Sequence, residues 1–409
     1  MCFVNREQLC VQFTPPFTLK YDRLKIKKDA RLSKTVDCII SSLKTHEMSI
    51  LFKRLTQLLC VTLLSATIYA QGVITTPRTP SPAASVSQTI GISTVTVSYS
   101  RPSVKGRDIW GALVPYGWNV QAFGAGNSAP WRAGANENTT ITFSDNAKVE
   151  GHDVPAGTYG LFFVVNKDNT GEVILSKDYK SWGSFWYDPK QDFMRSNIQL
   201  REIPMTEMLT YGFINDDKTS AELVLNWEKK QFPVKIEFDV DRIVMENAAN
   251  QLKNTVGFSW QGYSSAANYA LQNKVNLDQG LVWIDQAIAQ NKNFTTLSIK
   301  SNLLKASGKA DDADRLMKEA IDISTENELN LYGYQLLNQQ QTDKAIEMLA
   351  LNAKRHPESP NVWDSLGEAY VTKGDKTKAI ENFKKSLSMN PPANVRANSE
   401  KFLKQLGAM

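Results

Sequence analysis

The sequence predicts an α+β multidomain protein in which an antiparallel β-sandwich precedes an α-helical solenoid. Three observations carry this. Short runs of alternating apolar and polar residues fill the chain from Thr89 to about Val240. The period turns helical after Val240. Residues 261–409 then repeat themselves at spacings of 33, 32 and 34 residues. A length of 409 residues also suits two globular units, at roughly 100–200 residues each.

In the β region, Val95, Val97 and Tyr99 alternate with Thr96 and Ser98, and Ile141 and Phe143 alternate with Thr140, Thr142 and Ser144. Leu161 to Val165 is a continuous apolar run. The turn chemistry of Asn166 to Gly171 then precedes Val173, Ile174 and Leu175. Further on, Leu223, Leu225 and Trp227 share one face, while Phe232, Val234, Ile236 and Phe238 share another. The break between these two sets, at Glu228-Lys229-Lys230, reads as a hairpin loop. Eight or nine short strands without a helical period predict a sandwich over residues 89–240.

Ile243, Val244 and Leu252 fit a connecting helix within 241–260. The repeats follow, in units that begin near Gln261, Phe294, Glu326 and Pro360. In the last, Trp363, Leu366, Gly367, Tyr370, Ala379, Phe383 and Pro391 recur at fixed offsets. Leu329, Gly333, Leu336, Ala345, Leu349 and Pro357 match them one unit earlier. The two earlier units keep Leu297, Leu304, Ala313, Met317 and Ala320, and Leu271, Gly280, Ile284 and Ala287. This pattern resembles a tetratricopeptide array. Its small residues let paired helices approach, and stacking supplies the core that one pair lacks. Phe402, Leu403 and Leu406 mark a capping helix at the end.

The N-terminal part reads as an address. From Met48, Lys53 and Arg54 precede an apolar stretch from Leu55 to Leu64, and small and polar residues continue to Ala70. That is the layout of a secretory signal peptide over 48–70, too short in its apolar part to span a bilayer. Leu58 and Leu59 before Cys60 argue against lipid attachment there. Residues 1–47 read as a mis-assigned start upstream of Met48, the alternative being a cytoplasmic extension before a signal anchor. Residues 71–88, rich in Pro and Ser, read as a tether. The expected mature chain is therefore periplasmic or otherwise extracytoplasmic, without a transmembrane helix.

The formal charge of +5 is concentrated in that leader, since residues 71–409 hold 36 basic and 37 acidic residues. Nucleic-acid binding loses its electrostatic basis. All four cysteines (Cys2, Cys10, Cys38 and Cys60) also precede residue 71, so disulfides and Cys-based zinc sites are not expected in the mature chain. His152 and His356 stand two hundred residues apart. No metal site or cofactor is expected.

Polar and aromatic residues concentrate between Ser100 and Thr140, in SRPSVKGRDIWGALVPYG and PWRAGANENTTITF. Together with EGHDVPAGTYGLFF (150–163), these segments resemble DUF2911, a family of exported proteins without an assigned function, across about residues 85–240. The resemblance implies that tetratricopeptide-like helices often follow, and it implies no activity. Trp118 to Ala129 makes the loop longer here than in shorter members.

Arg101, Lys105, Arg107, Trp131, Arg132, Asn136 and Glu137 are the candidate ligand-binding residues of this stretch. Trp182, Tyr187 and Arg195 form a second aromatic and polar group. Two readings compete. Either the arginines pair with Glu137 and backbone carbonyls to brace long loops, or cations and aromatic faces line a pocket for a small anionic or sugar-like ligand. No nucleophile elbow, H-E-x-x-H or phosphate-cradling loop occurs. Asn166, Asp168 and Thr170 begin a calcium-like loop whose twelfth position is Lys177 rather than Glu. His152 beside Asp153 is a poor acid–base pair, because adjacent strand residues point to opposite faces. No catalytic residue is assigned. The expectation is a non-catalytic binding and scaffold protein, with a repeat groove for a peptide or protein and a sandwich pocket for a small ligand. The alternatives are an envelope glycan or peptide hydrolase using Glu137 and Arg132, or a purely structural module.

Overall fold

The computed structural model describes residues 80–409. The signal peptide, residues 1–47, the four cysteines and the first part of the tether lie outside the described residues. Chain pairing begins early. Strand β1 (Ala83–Ile90) starts inside the stretch expected to be tether and pairs antiparallel with β2 (Ser93–Ser100) across the turn at Gly91.

Two antiparallel sheets enclose the β core. The first has the order β1-β2-β5-β8-β9-β10, with β5 (Thr140–Phe143), β8 (Gly157–Val165), β9 (Thr170–Ser176) and β10 (Asp192–Gln199). The second has the order β11-β12-β6-β7, with β6 (Ala147–Val149), β7 (His152–Val154), β11 (Arg201–Ile214) and β12 (Ser220–Phe238). A short ribbon pairs β3 (Asn119–Val120) with β4 (Ser128–Ala129). The alternating Val95 and Val97 of β2 meet Leu223, Leu225 and Trp227 of β12 in one buried cluster. This is the inward face of a half-buried antiparallel pair of sheets.

The continuous apolar run of β8 has a different cause. Leu161, Phe163 and Val165 face the inter-sheet core, while Phe162 and Val164 lie under Ala129, Tyr187 and Trp118 on the outer face. A strand covered on both faces has no polar side to alternate with.

Glu228-Lys229-Lys230 is not a hairpin loop. β12 runs unbroken through it, and Trp227 and Phe232 both enter the same core although five positions separate them. Glu228 takes φ +55°, and the register against β11 shifts between Glu202 and Thr206 and again between Thr206 and Thr210. A bulge adds a residue to one strand and restores the inward face after a parity break. The sequence lacks the Asn-Gly or Asp-Gly pair that a two-residue hairpin favours.

Helix α1 (Val240–Gln251) leaves the sandwich, with Asp239 capping its start through the Arg242 amide. Val240 packs so closely on Gly91 that a Cβ there would lie 2.5 Å from its Cγ1. Ile243 completes the β core, and Met245, two residues on and so on nearly the opposite side of the helix, opens the helical one. The expected connecting helix thus ends at Gln251, ahead of a 3-10 turn (Thr255–Phe258).

Four helix pairs and a cap follow: α2 (Trp260–Asn273) with α3 (Leu277–Gln290), α4 (Phe294–Ala306) with α5 (Ala310–Asp322), α6 (Glu326–Asn338) with α7 (Thr342–Arg355), α8 (Pro360–Lys373) with α9 (Lys376–Ser388), and α10 (Ala393–Gln405). Sequence sets their ends. Asn293 with Thr296 and Thr325 with Glu328 form reciprocal capping boxes, and Gly374 closes α8 at φ +83°. Inside each pair the small residues do what their spacing predicts. A Cβ on Gly333 would lie 2.5 Å from Leu349, and one on Gly367 would lie 2.7 Å from Phe383. Phe383 in turn stacks on Phe402 of α10, with ring centroids 5.1 Å apart, which seals the open end of the array.

Candidate functional site

The β-domain's long loops converge on the middle of β12, at Trp227 and Glu228. The segment after β2 is held by the irregular stretch of β11: Val104 N donates to Glu207 O, and Leu209 N donates to Pro102 O. Beyond the end of β5, Trp131 pairs with Phe163 of β8 through two backbone hydrogen bonds of 2.8 and 2.9 Å. The turn that follows uses left-handed backbone at Ala133 and Asn136. Ala133 O accepts from Thr139 Oγ1 and from the buried Tyr211 hydroxyl.

Between these segments lies a cavity of about 760 Å³, within the usual range for small-molecule sites. Trp131 and Trp227 form part of its wall, nearly parallel with centroids 5.7 Å apart. Trp110 packs edge-on against both and donates its indole N–H to Glu228 Oε2 at 3.1 Å. The bulge that breaks the parity of β12 therefore also anchors the aromatic floor. The enclosed indole N–H of Trp227 has no hydrogen-bond partner.

Lys105, Arg107 and Arg132 all line this cavity, and among the described residues its wall contains no Asp, Glu or His. Arg132 is half-buried. Its Nη1 donates to Asn136 O at 2.6 Å, and its guanidinium lies 4.8 Å from the centre of the Phe185 ring. Among the described residues no carboxylate pairs with it. Burial accordingly holds its pKa below the ordinary guanidinium value.

Half of the predicted site residues thus come together: Lys105, Arg107, Trp131, Arg132 and Asn136. The others do not. Arg101 lies outside the cavity wall, with Nε on Leu209 O and Nη2 on Thr210 Oγ1, and so ties the end of β2 to β11. Arg107 lines the cavity but directs Nε and Nη2 to the carbonyls of Val104 and Ser103. Glu137 is not in the wall. Trp182 stands half-exposed at the surface. Tyr187 and Arg195 form a separate cluster in which both the Tyr187 hydroxyl and Arg195 Nε donate to Asp192 Oδ2. Arg195 also covers the Trp118 ring at 4.6 Å. Burial raises the pKa of both Tyr187 and Asp192, and for Tyr187 the neighbouring carboxylate adds to the shift.

Sequence reasoning missed Val114, Ser184 and Trp227 of the wall, and Gly183 behind it. Trp227 falls on a core parity, so nothing in the sequence separates it from its strand neighbours. Gly183 precedes an aromatic run at φ +61°, and a Cβ there would lie 2.3 Å from the Arg132 guanidinium. That glycine was the available signal.

Among the described residues, no group of three or more His, Cys, Asp and Glu could hold a metal ion, and no helix is long and apolar enough to cross a membrane.

Fold and site together define a β-sandwich with a cation-lined cavity, joined to a helical-repeat array. Residues 81–236 match the model of the family described as "Protein of unknown function (DUF2911)", and residues 360–392 match a tetratricopeptide repeat. The chain thus carries a DUF2911 domain with C-terminal tetratricopeptide repeats, an architecture of protein-interaction scaffolds. No curated protein matches the chain. Solved structures similar to it include YrrB, titled a TPR protein with an unusual peptide-binding site (15% identity, covering 40% of this chain and 89% of that one, TM-score 0.25). PilF of Pseudomonas aeruginosa (20%, 37% and 71%, 0.25) and MamA (17%, 36% and 86%, 0.24) are also similar.

Proposed function

We propose that the protein is an exported, non-catalytic binding and scaffold protein, whose repeats engage a peptide or protein and whose sandwich cavity takes a small anionic or sugar-like ligand. The observation that carries the second part is the wall of the cavity: three cationic side chains and, among the described residues, no carboxylate or imidazole. Such a wall offers donors and positive charge, and it lacks the paired acid and base that glycoside hydrolysis requires. Glu137 lies outside it, which favours the binding reading over a hydrolase that uses Glu137 with Arg132. For the repeats, polar groups of alternate helices meet in one seam. Tyr334 of α6 donates to Ser365 of α8, and Asn398 of α10 donates to Asp364 and Glu368 of α8. Export rests on the signal-like sequence at 48–70 alone.

A thermal-shift screen of the purified protein against small anions and sugars, run beside Arg132→Ala, tests the cavity. A ligand at 100 times its Kd adds about 2.7 kcal/mol to the native state, a rise of several degrees in Tm. The reading expects such a rise with at least one ligand and its loss in the variant. No rise with any ligand, together with strong destabilisation by Arg132→Ala, would make the cluster architectural.

A further inference from the structure

The cavity wall separates a cationic part from an apolar part. Leu113, Val114, Pro115, Ala129 and Trp131 provide carbon surface, while Arg132 and Lys105 provide charge. A neutral sugar presents hydroxyl donors as well as acceptors, and proteins meet those donors best with carboxylate oxygens. This wall has none. An inorganic anion would leave the apolar surface wet. Of the two arginines in the wall, Arg107 has its Nε and Nη2 committed to backbone carbonyls, whereas Arg132 makes one hydrogen bond, through Nη1, and faces no carboxylate among the described residues.

We propose that the cavity binds an organic anion with an apolar body, its carboxylate or sulfonate seated on Arg132 and its carbon skeleton against Trp131 and the Leu113–Pro115 turn. This rests on the reading of the cavity as a ligand site and narrows it to one chemical class. Gly183 is a positioning residue in this arrangement, because its missing side chain leaves room for the guanidinium over Phe185. Burial depresses the Arg132 pKa, as expected for a cation desolvated without a counter-ion. An anionic ligand would supply that counter-ion.

Calorimetric titration with four probes tests the proposal: decanoate, decanol, N-acetylglucosamine and inorganic phosphate. Each is titrated into the full protein and into Arg132→Met and Arg132→Lys, after circular dichroism has verified that the variants fold. Decanoate is expected to bind at least about tenfold more tightly than decanol, the scale of one charge-assisted hydrogen bond. Arg132→Met should abolish that preference, and Arg132→Lys should retain part of it. Equal binding of decanoate and decanol would overturn the proposal, as would an unaltered preference in Arg132→Met. Binding of N-acetylglucosamine or phosphate in place of decanoate would overturn it while leaving the cavity a ligand site. Absence of binding by all four probes, with no hit in the thermal-shift screen, would remove both.

Discussion

Gly183 holds the Arg132 guanidinium in place by having no side chain. Gly183→Ala adds a methyl group 2.3 Å from Arg132 Cζ and Nη1, at a residue with φ +61°. The backbone part of the cost is about 1–2 kcal/mol, the penalty for an L-residue in left-handed conformation. For a domain of this size that is roughly 2–8 °C in Tm. The steric part is relieved by motion of the flexible Arg132 side chain, so it appears in binding rather than in stability. Gly151→Ala separates the two, since Gly151 has φ +81° and nothing within 4 Å of its would-be Cβ. Both variants should lose similar stability in thermal melts. Only Gly183→Ala should also lose affinity for decanoate, by about the same factor as Arg132→Met. Decanoate binding by Gly183→Ala at the parent's affinity would refute the argument that this glycine positions the arginine.

Three further outcomes follow from the same packing. Arg101→Ala removes two hydrogen bonds from a charged donor, to Leu209 O and Thr210 Oγ1, and should cost about 2–4 kcal/mol in urea unfolding without changing ligand affinity. Phe383→Ala opens a cavity beneath Gly367 and unstacks Phe402. It should cost about 3–5 kcal/mol in the helical transition followed at 222 nm. Burial raises the carboxyl pKa values of Asp364 and Glu368. A folded-state pKa above the unfolded one gives stability that is present below about pH 4 and lost as pH rises through the folded value. Glu368→Gln should therefore raise the Tm of the repeats at pH 7, with the gain shrinking towards pH 4; a gain independent of pH would contradict this.

What the sequence revealed and what it hid follow from how local each signal is. Repeat spacing survives in sequence because a side chain on Gly333 or Gly367 would strike its paired helix, and Ala345 and Ala379 are fully buried with no room left around them in the core. The parity break at Glu228 was visible, but a bulge and a hairpin loop leave the same one-residue slip. Only the pairing of β11 along both halves of β12 distinguishes them. The run Leu161 to Val165 was legible as strand, while its second covered face depends on loops far away in sequence. Among the candidate residues, Arg101 and Arg132 look alike: both lie in polar loops beside aromatic residues. Their roles diverge through β11 carbonyls in one case and through Phe185 and Gly183 in the other, contacts that lie about 50 to 108 positions away. Trp182, Tyr187 and Arg195 stand in sequence as a second candidate group, and of these Tyr187 and Arg195 converge on Asp192 rather than on the cavity.

The claim that Arg132 is a ligand group and not a strut is tested most directly by urea unfolding of the unliganded Arg132→Met variant. Methionine keeps much of the side chain's volume and removes a desolvated cation that no carboxylate among the described residues balances. That relief offsets the lost hydrogen bond to Asn136 O and the contact with Phe185. The account predicts a change in unfolding free energy within about 1 kcal/mol of zero, alongside lost anion binding. A loss of about 3 kcal/mol or more, the cost of breaking a buried ion pair, would show that Arg132 braces the loops and that the cavity's charge is structural.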